Sequence, residues 1–150
     1  MEYVLMKLGK FMVSGEFKNI DFYKEHKKVI DQYGYVDFAR FGRTKLFMDF
    51  DHMPSNVFFI KAINDSKIQI IKATFEKEKE GTEKHFPEYY KKLDLKHAEW
   101  ARITNLEIVD RDYLLSNYTL RNGKPIKGLD RGLVTNFVIV DKQSESLSQE

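Results

Sequence analysis

Val57-Phe58-Phe59-Ile60-Lys61-Ala62-Ile63 is a nearly continuous run of apolar, strand-forming residues. A strand with one wet face alternates polar and apolar positions, whereas a run like this predicts a central strand buried on both faces. Asn64-Asp65-Ser66 reads as a turn, and residues 67–77 resume a strand pattern, which predicts a hairpin. Upstream, residues 3–13, 35–41 and 45–50 read as further strands, ending at Ser14-Gly15, Gly42 and the 51–56 turn. Between them, Phe22, His26, Val29, Ile30 and Tyr33 fall on one helical stripe. Asp21 is a suitable N-cap for that helix and Gly34 a suitable residue to end it.

Downstream, Pro87 opens a short helix through Leu93, and residues 98–109 form a strand pair or one bent strand. Asp110 caps a single turn over Tyr113-Leu114-Leu115. Asn122-Gly123-Lys124-Pro125 is a turn, and residues 133–140 are the last strand. Roughly six strands with two or three flanking short helices predict an α+β fold, a small curled sheet or β-barrel. Residues 1–141 are expected to form one domain and 142–150 a disordered polar tail.

Composition narrows the function classes. The 150 residues are 42% apolar, 14% aromatic and 32% charged, ample for a single packed core. The absence of cysteine removes disulfides, thiol nucleophiles and zinc–thiolate sites. No apolar run is long enough to span a bilayer and no secretory leader is visible, so the expected location is the cytoplasm, away from membranes. The net charge of +2 averages two parts: Asp141, Glu145 and Glu150 against Lys142 give the tail −2, leaving +4 on residues 1–140. Basic side chains cluster locally, as a groove for a polyanion requires: seven against four acids over residues 18–45, and four against one over 121–131.

Catalytic signatures are missing. The eight glycines form no phosphate-cradling motif, and the four histidines have no HxxxH spacing. Asp49, Asp51 and His52 come nearest to a metal cluster, since Asp49 and Asp51 would share one face of a strand; the same stretch also reads as a polar strand end. Glu99 and Glu107 have no visible partner for acid–base work. These residues give no support for an enzyme, and no cofactor is expected.

What remains is recognition. Aromatic faces stack on bases and polar side chains read their edges. Trp100, Phe38, Phe41 and Tyr35 are the candidate faces, and Asp37 and Asn105 the candidate edge readers. Arg40, Arg43, Lys45, Arg121, Lys124 and Arg131 are candidates for phosphate contacts. Most have a plainer reading: Trp100 and one of Phe38 and Phe41 as core, Tyr35 as cover for the helix end, Asp37 as a solvent-facing strand residue, Arg40, Arg43 and Lys45 as solubilising charge on an edge strand, and Lys124 as turn chemistry.

Short pieces of the chain resemble the PUA-like superfamily, and within it the EVE and YTH domains. Tyr3-Val4-Leu5-Met6-Lys7 is similar to the opening strand of EVE domains, with Val4 where they carry Trp. Trp100, Asp110-Arg111-Asp112, Asn122-Gly123-Lys124-Pro125-Ile126 and Asp130-Arg131 follow the order of elements in YTH domains. Leu8-Gly9-Lys10 replaces the Lys-Ser-Glu-Pro of EVE domains, and with Trp100 the only Trp, Tyr or Phe must complete any aromatic cage. The resemblance implies a PUA-like module that binds nucleic acid, as a short single strand or through a modified base. Two alternatives stand beside it: a small phage- or mobile-element-type protein acting on a protein partner, and a metal-dependent hydrolase using Asp49, Asp51 and His52.

Overall fold

The computed structural model describes residues 2–7, 20–40, 56–64, 67–77, 81–93, 96, 99–127, 129 and 137–142. Among the described residues ten elements follow one another. They are β1 (Glu2–Lys7), α1 (Phe22–Tyr33), β2 (Val36–Arg40), β3 (Asn56–Asn64), β4 (Lys67–Glu76), a 3₁₀ helix (Glu88–Lys92), β5 (Glu99–Val109), α2 (Arg111–Asn117), β6 (Tyr118–Leu120) and β7 (Phe137–Asp141). The strands make one mixed sheet in the order β2-β5-β4-β3-β1-β7-β6. β1 and β3 run parallel, and every other neighbouring pair is antiparallel. Among the described residues β2 and β6 end the sheet without pairing to each other, so it is an open α+β sheet rather than a closed barrel.

The apolar run sits where its pattern demands. Val57 and Phe59 pack into a cluster with α1 on one face, while Phe58 and Ile60 pack with Leu114 of α2 on the other. Val4 and Met6 against Tyr3 and Leu5 divide β1 in the same way. The parallel pair therefore lies at the middle of the sheet, sealed on both sides, which is why neither strand alternates with polar residues. All four of Val57–Ile60 are essentially inaccessible. Phe59→Ala would cost about 3–5 kcal/mol through lost burial and the cavity left behind. Two strands away from β1 the second face is released: Lys72, Thr74 and Glu76 of β4 alternate with buried Ala73 and Phe75.

α1 begins and ends as its caps require. The Asp21 carboxylate accepts the Lys24 backbone N–H at 3.0 Å, and Gly34, at φ 86°, donates its N–H to the Ile30 carbonyl at 2.7 Å. Phe22, His26, Val29 and Ile30 are buried as the stripe predicts, but Tyr33 turns outward and is 46% exposed. Residues 99–109 form a single strand, with Thr104 as an extra residue between the Phe75–Ile103 and Thr74–Asn105 pairs. α2 is longer than the one turn expected from Tyr113-Leu114-Leu115, and the Asp110 carboxylate caps it through the Tyr113 N–H at 2.7 Å. The turn over 122–125 is present, with Gly123 at φ 83° and the Asn122 side chain accepting the Lys124 N–H at 3.0 Å.

The strand expected over 45–50, all of the expected 51–56 turn but Asn56, which begins β3, residues 8–13 of the first strand and the tail from 143 lie outside the described residues. Lys142, the first residue of the expected tail to be described, donates its N–H to the Asn117 carbonyl at 2.8 Å. Among the described residues no helix is long and apolar enough to cross a membrane.

Candidate functional site

β2 is an edge strand, and an edge with free N–H and C=O groups invites unwanted pairing. Here residues 83–92 run along it. The Tyr35 hydroxyl donates to the Glu83 carbonyl at 2.7 Å, and the Asp37 N–H donates to the His85 carbonyl at 2.7 Å. The His85 N–H returns a bond to Asp37 Oδ2 at 2.9 Å, and the Ala39 N–H reaches the Tyr90 hydroxyl at 3.4 Å. Asp37 Oδ1 accepts from Arg102 Nε at 3.2 Å, directly across the strand pair. The Arg102 guanidinium lies 3.8 Å from the Tyr35 ring centroid, which covers it.

The same segment ties down α1. His26 is wholly buried, with Nδ1 2.8 Å from the Phe22 carbonyl and Nε2 2.7 Å from the Tyr90 hydroxyl. A carbonyl can only accept, so Nδ1 carries the proton and Nε2 accepts from Tyr90. Burial holds the His26 pKa down to about 3 against the opposing pull of the Phe22 carbonyl, and burial pushes the Tyr90 phenol well above its ordinary range. Both groups are therefore neutral at neutral pH. They join helix, 3₁₀ helix and strand instead of moving protons.

Between the outer flank of α1 and residues 83–91 opens a groove of about 460 Å³, within the range of roughly 300–1,000 Å³ of small-molecule sites. Buried Val29 and Pro87 and half-buried Phe86 supply its apolar part. Tyr33 and His85 both line it, their rings 3.6 Å apart and within 4° of parallel. Gln32 lies beside them, its amide donating to the Tyr33 hydroxyl at 3.1 Å. Two Glu-x-x-Lys pairs stand on the rim: Glu25–Lys28 at 3.6 Å on α1 and Glu88–Lys91 at 2.9 Å on the 3₁₀ helix. Lys84 completes the rim, its ammonium 5.3 Å from the Trp100 ring centroid.

The expected site residues fall in several places. Trp100 is half-buried just behind the groove, with Phe86 at 5.8 Å and Tyr90 at 6.3 Å between ring centroids. Tyr35 neighbours it as the lid on Arg102, 5.4 Å from the His85 ring. Phe38 is a core residue, 6% exposed and packed against Phe22 and Phe59, because its strand position faces α1. Asp37 is not solvent-facing and does not read a ligand edge: it is fully buried, and its oxygens are taken by Arg102 and the His85 N–H. Asn105 is exposed on β5, five residues and so about 16 Å along the strand from Trp100.

Arg121 and Lys124 follow β6, at the opposite end of the strand order from β2. Arg121 pairs there with Glu2 at 2.7 Å. These two cations do not serve the same groove as Trp100. Arg40 is the last residue of β2. Phe41, Arg43, Lys45, Arg131 and the Asp49, Asp51, His52 set lie outside the described residues. Among the described residues no three acidic or histidine side chains are grouped to hold a metal.

A second polar cluster sits on the α2 face. Lys72 Nζ donates to the Tyr113 hydroxyl at 3.3 Å, which is 3.4 Å from the Tyr118 hydroxyl, and the Tyr3 hydroxyl donates to Asp141 at 3.3 Å. The Tyr118 hydrogen bond, helped by Lys72, draws the Tyr113 phenol below its ordinary pKa, while burial drives Tyr118 up.

The sequence reading missed Gln32, Tyr33, Lys84, His85 and Phe86. Tyr33 carried a misleading signal, since its helical spacing matches the core stripe. Residues 83–86 carried none, because their role follows from lying against α1. Comparison with known proteins finds no match, whether to a family model, a curated protein or a solved structure.

Proposed function

We propose that this protein is a non-catalytic binding module that takes an unpaired base of a nucleic acid into the groove between α1 and residues 83–91. The observation that carries the reading is the Tyr33–His85 stack on the groove wall. A flat aromatic face is what a splayed-out base needs, and stacking contributes about 1–3 kcal/mol per base. The platform is held in advance: both backbone polar groups of His85 are bonded to Asp37, which is itself paired with Arg102. Gln32 offers both a donor and an acceptor beside the stack, the combination that suits a base edge.

In this reading the chain is a PUA-like relative, with the motif residues of β1, Trp100 and the 122–126 turn as the points of similarity. The aromatic site has moved from Trp100 itself to the groove that Lys84 and Phe86 share with it. Trp100 then serves as the reporter. Titration of its fluorescence with short single-stranded DNA and RNA, modified and unmodified, should show binding at low salt that weakens as salt rises. Tyr33→Ala should weaken it tenfold or more. No binding at low salt, or undiminished binding by Tyr33→Ala, would overturn the proposal.

A further inference from the structure

Resting on that reading, we infer that the groove itself accepts a neutral ring, a nucleobase or nucleoside, and keeps phosphate groups outside. The charges that line it cancel: Glu25, Glu83 and Glu88 stand against Lys28, Lys84 and Lys91. Lys28 and Lys91 are already held on carboxylates at 3.6 and 2.9 Å, and Lys84 lies over the Trp100 face. A phosphate entering this space would approach three carboxylates and would have to draw Lys28 or Lys91 off its carboxylate or Lys84 off the Trp100 face. Sites built for phosphate instead present surplus positive charge or a row of backbone N–H groups. A neutral ring meets none of that opposition. It extends the Tyr33–His85 stack, rests against Val29, Phe86 and Pro87, and turns its edge to Gln32. In a bound strand the base is inside and the backbone outside the groove.

The test is equilibrium dialysis of the full chain with adenosine, guanosine, cytidine and uridine and with their 5′-monophosphates. At least one nucleoside should bind, and its monophosphate should bind no more than about threefold tighter, where a new charge-assisted phosphate contact would give about tenfold or more. The double variant Glu25→Gln/Glu88→Gln, at one half-buried and one exposed position, releases both lysines and should tighten the monophosphate about tenfold while leaving the nucleoside within about threefold. Tyr33→Ala, at a surface position, should lose nucleoside binding about tenfold with an unchanged melting temperature. A monophosphate preference above threefold in the natural chain, no monophosphate gain in the double variant, or nucleoside binding indifferent to Tyr33→Ala would each overturn the inference. If oligonucleotides bind while no nucleoside does, the neutral-ring inference falls and nucleic-acid binding stands. If neither binds, both fall.

Discussion

Each edge of the sheet carries an arginine–carboxylate pair and each face a set of tyrosine hydroxyls, and the two sides use them differently. At the β2 edge Asp37 and Arg102 pair at 3.2 Å with side chains 0% and 4% exposed; near β6, Glu2 and Arg121 pair at 2.7 Å with side chains 47% and 61% exposed. The shorter contact is the weaker contributor, because water screens both of its charges and two long side chains lose freedom to form it. The buried pair has no such screening, so removing one member exposes the full desolvation cost of the other. The hydroxyls divide in the same sense. Tyr90 is sealed against His26 and is far harder to ionise than a free phenol, whereas Tyr113 stands beside Lys72 near the surface and ionises more easily. Distance alone ranks neither set; solvent access does.

The largest expected effect that sharpens this contrast is Asp37→Ala. It should destabilise the fold by about 3–5 kcal/mol in urea unfolding, through the lost ion pair and the freed His85 N–H. A loss below 1 kcal/mol would place Asp37 and Glu2 in one class and break the comparison. His26→Ala should come next, at about 3 kcal/mol, since it leaves the Tyr90 hydroxyl without its acceptor and a cavity under α1. At a few degrees per kcal/mol, calorimetry should record a melting point lower by roughly 6–12 °C.

A smaller and graded effect belongs to pH. Unfolded His26 takes up a proton near 6.5, but the folded residue resists it down to about 3. Its contribution is fully present above pH 6.5 and is lost as pH falls from there toward 3, at up to about 1.4 kcal/mol per unit. Unfolding measured from pH 7 to 4 should show that slope, and His26→Leu should flatten it. The smallest effects lie at the β6 edge and on the α2 face. Glu2→Ala and Tyr113→Phe should each cost less than about 1 kcal/mol. Tyr113→Phe should nonetheless remove a phenol that ionises below the usual range in an ultraviolet pH titration, which a purely structural residue would not do.

What could be read before folding was what neighbours in sequence impose on one another. The 22–33 helix is specified by a stripe four residues apart with Asp21 and Gly34 at its ends, and the 122–125 turn by the conformations open to Asn and Gly. Val57–Ile60 announces a strand wet on neither face, and it became the centre of the sheet. These are local rules, carried by dihedral preferences and side-chain period. Arg102 and Arg121 look alike in the chain, yet one lies beneath a tyrosine ring and the other in solvent, about five strands apart. Tyr33 fits the core stripe and still faces outward, because residues 83–92 came to lie beside the helix. Composition, caps and periodicity thus determined which segments form helix, strand and core. Strand order, the choice of buried ion pair and the groove came from tertiary structure alone, since each depends on contacts between segments tens of residues apart and on the water those contacts exclude.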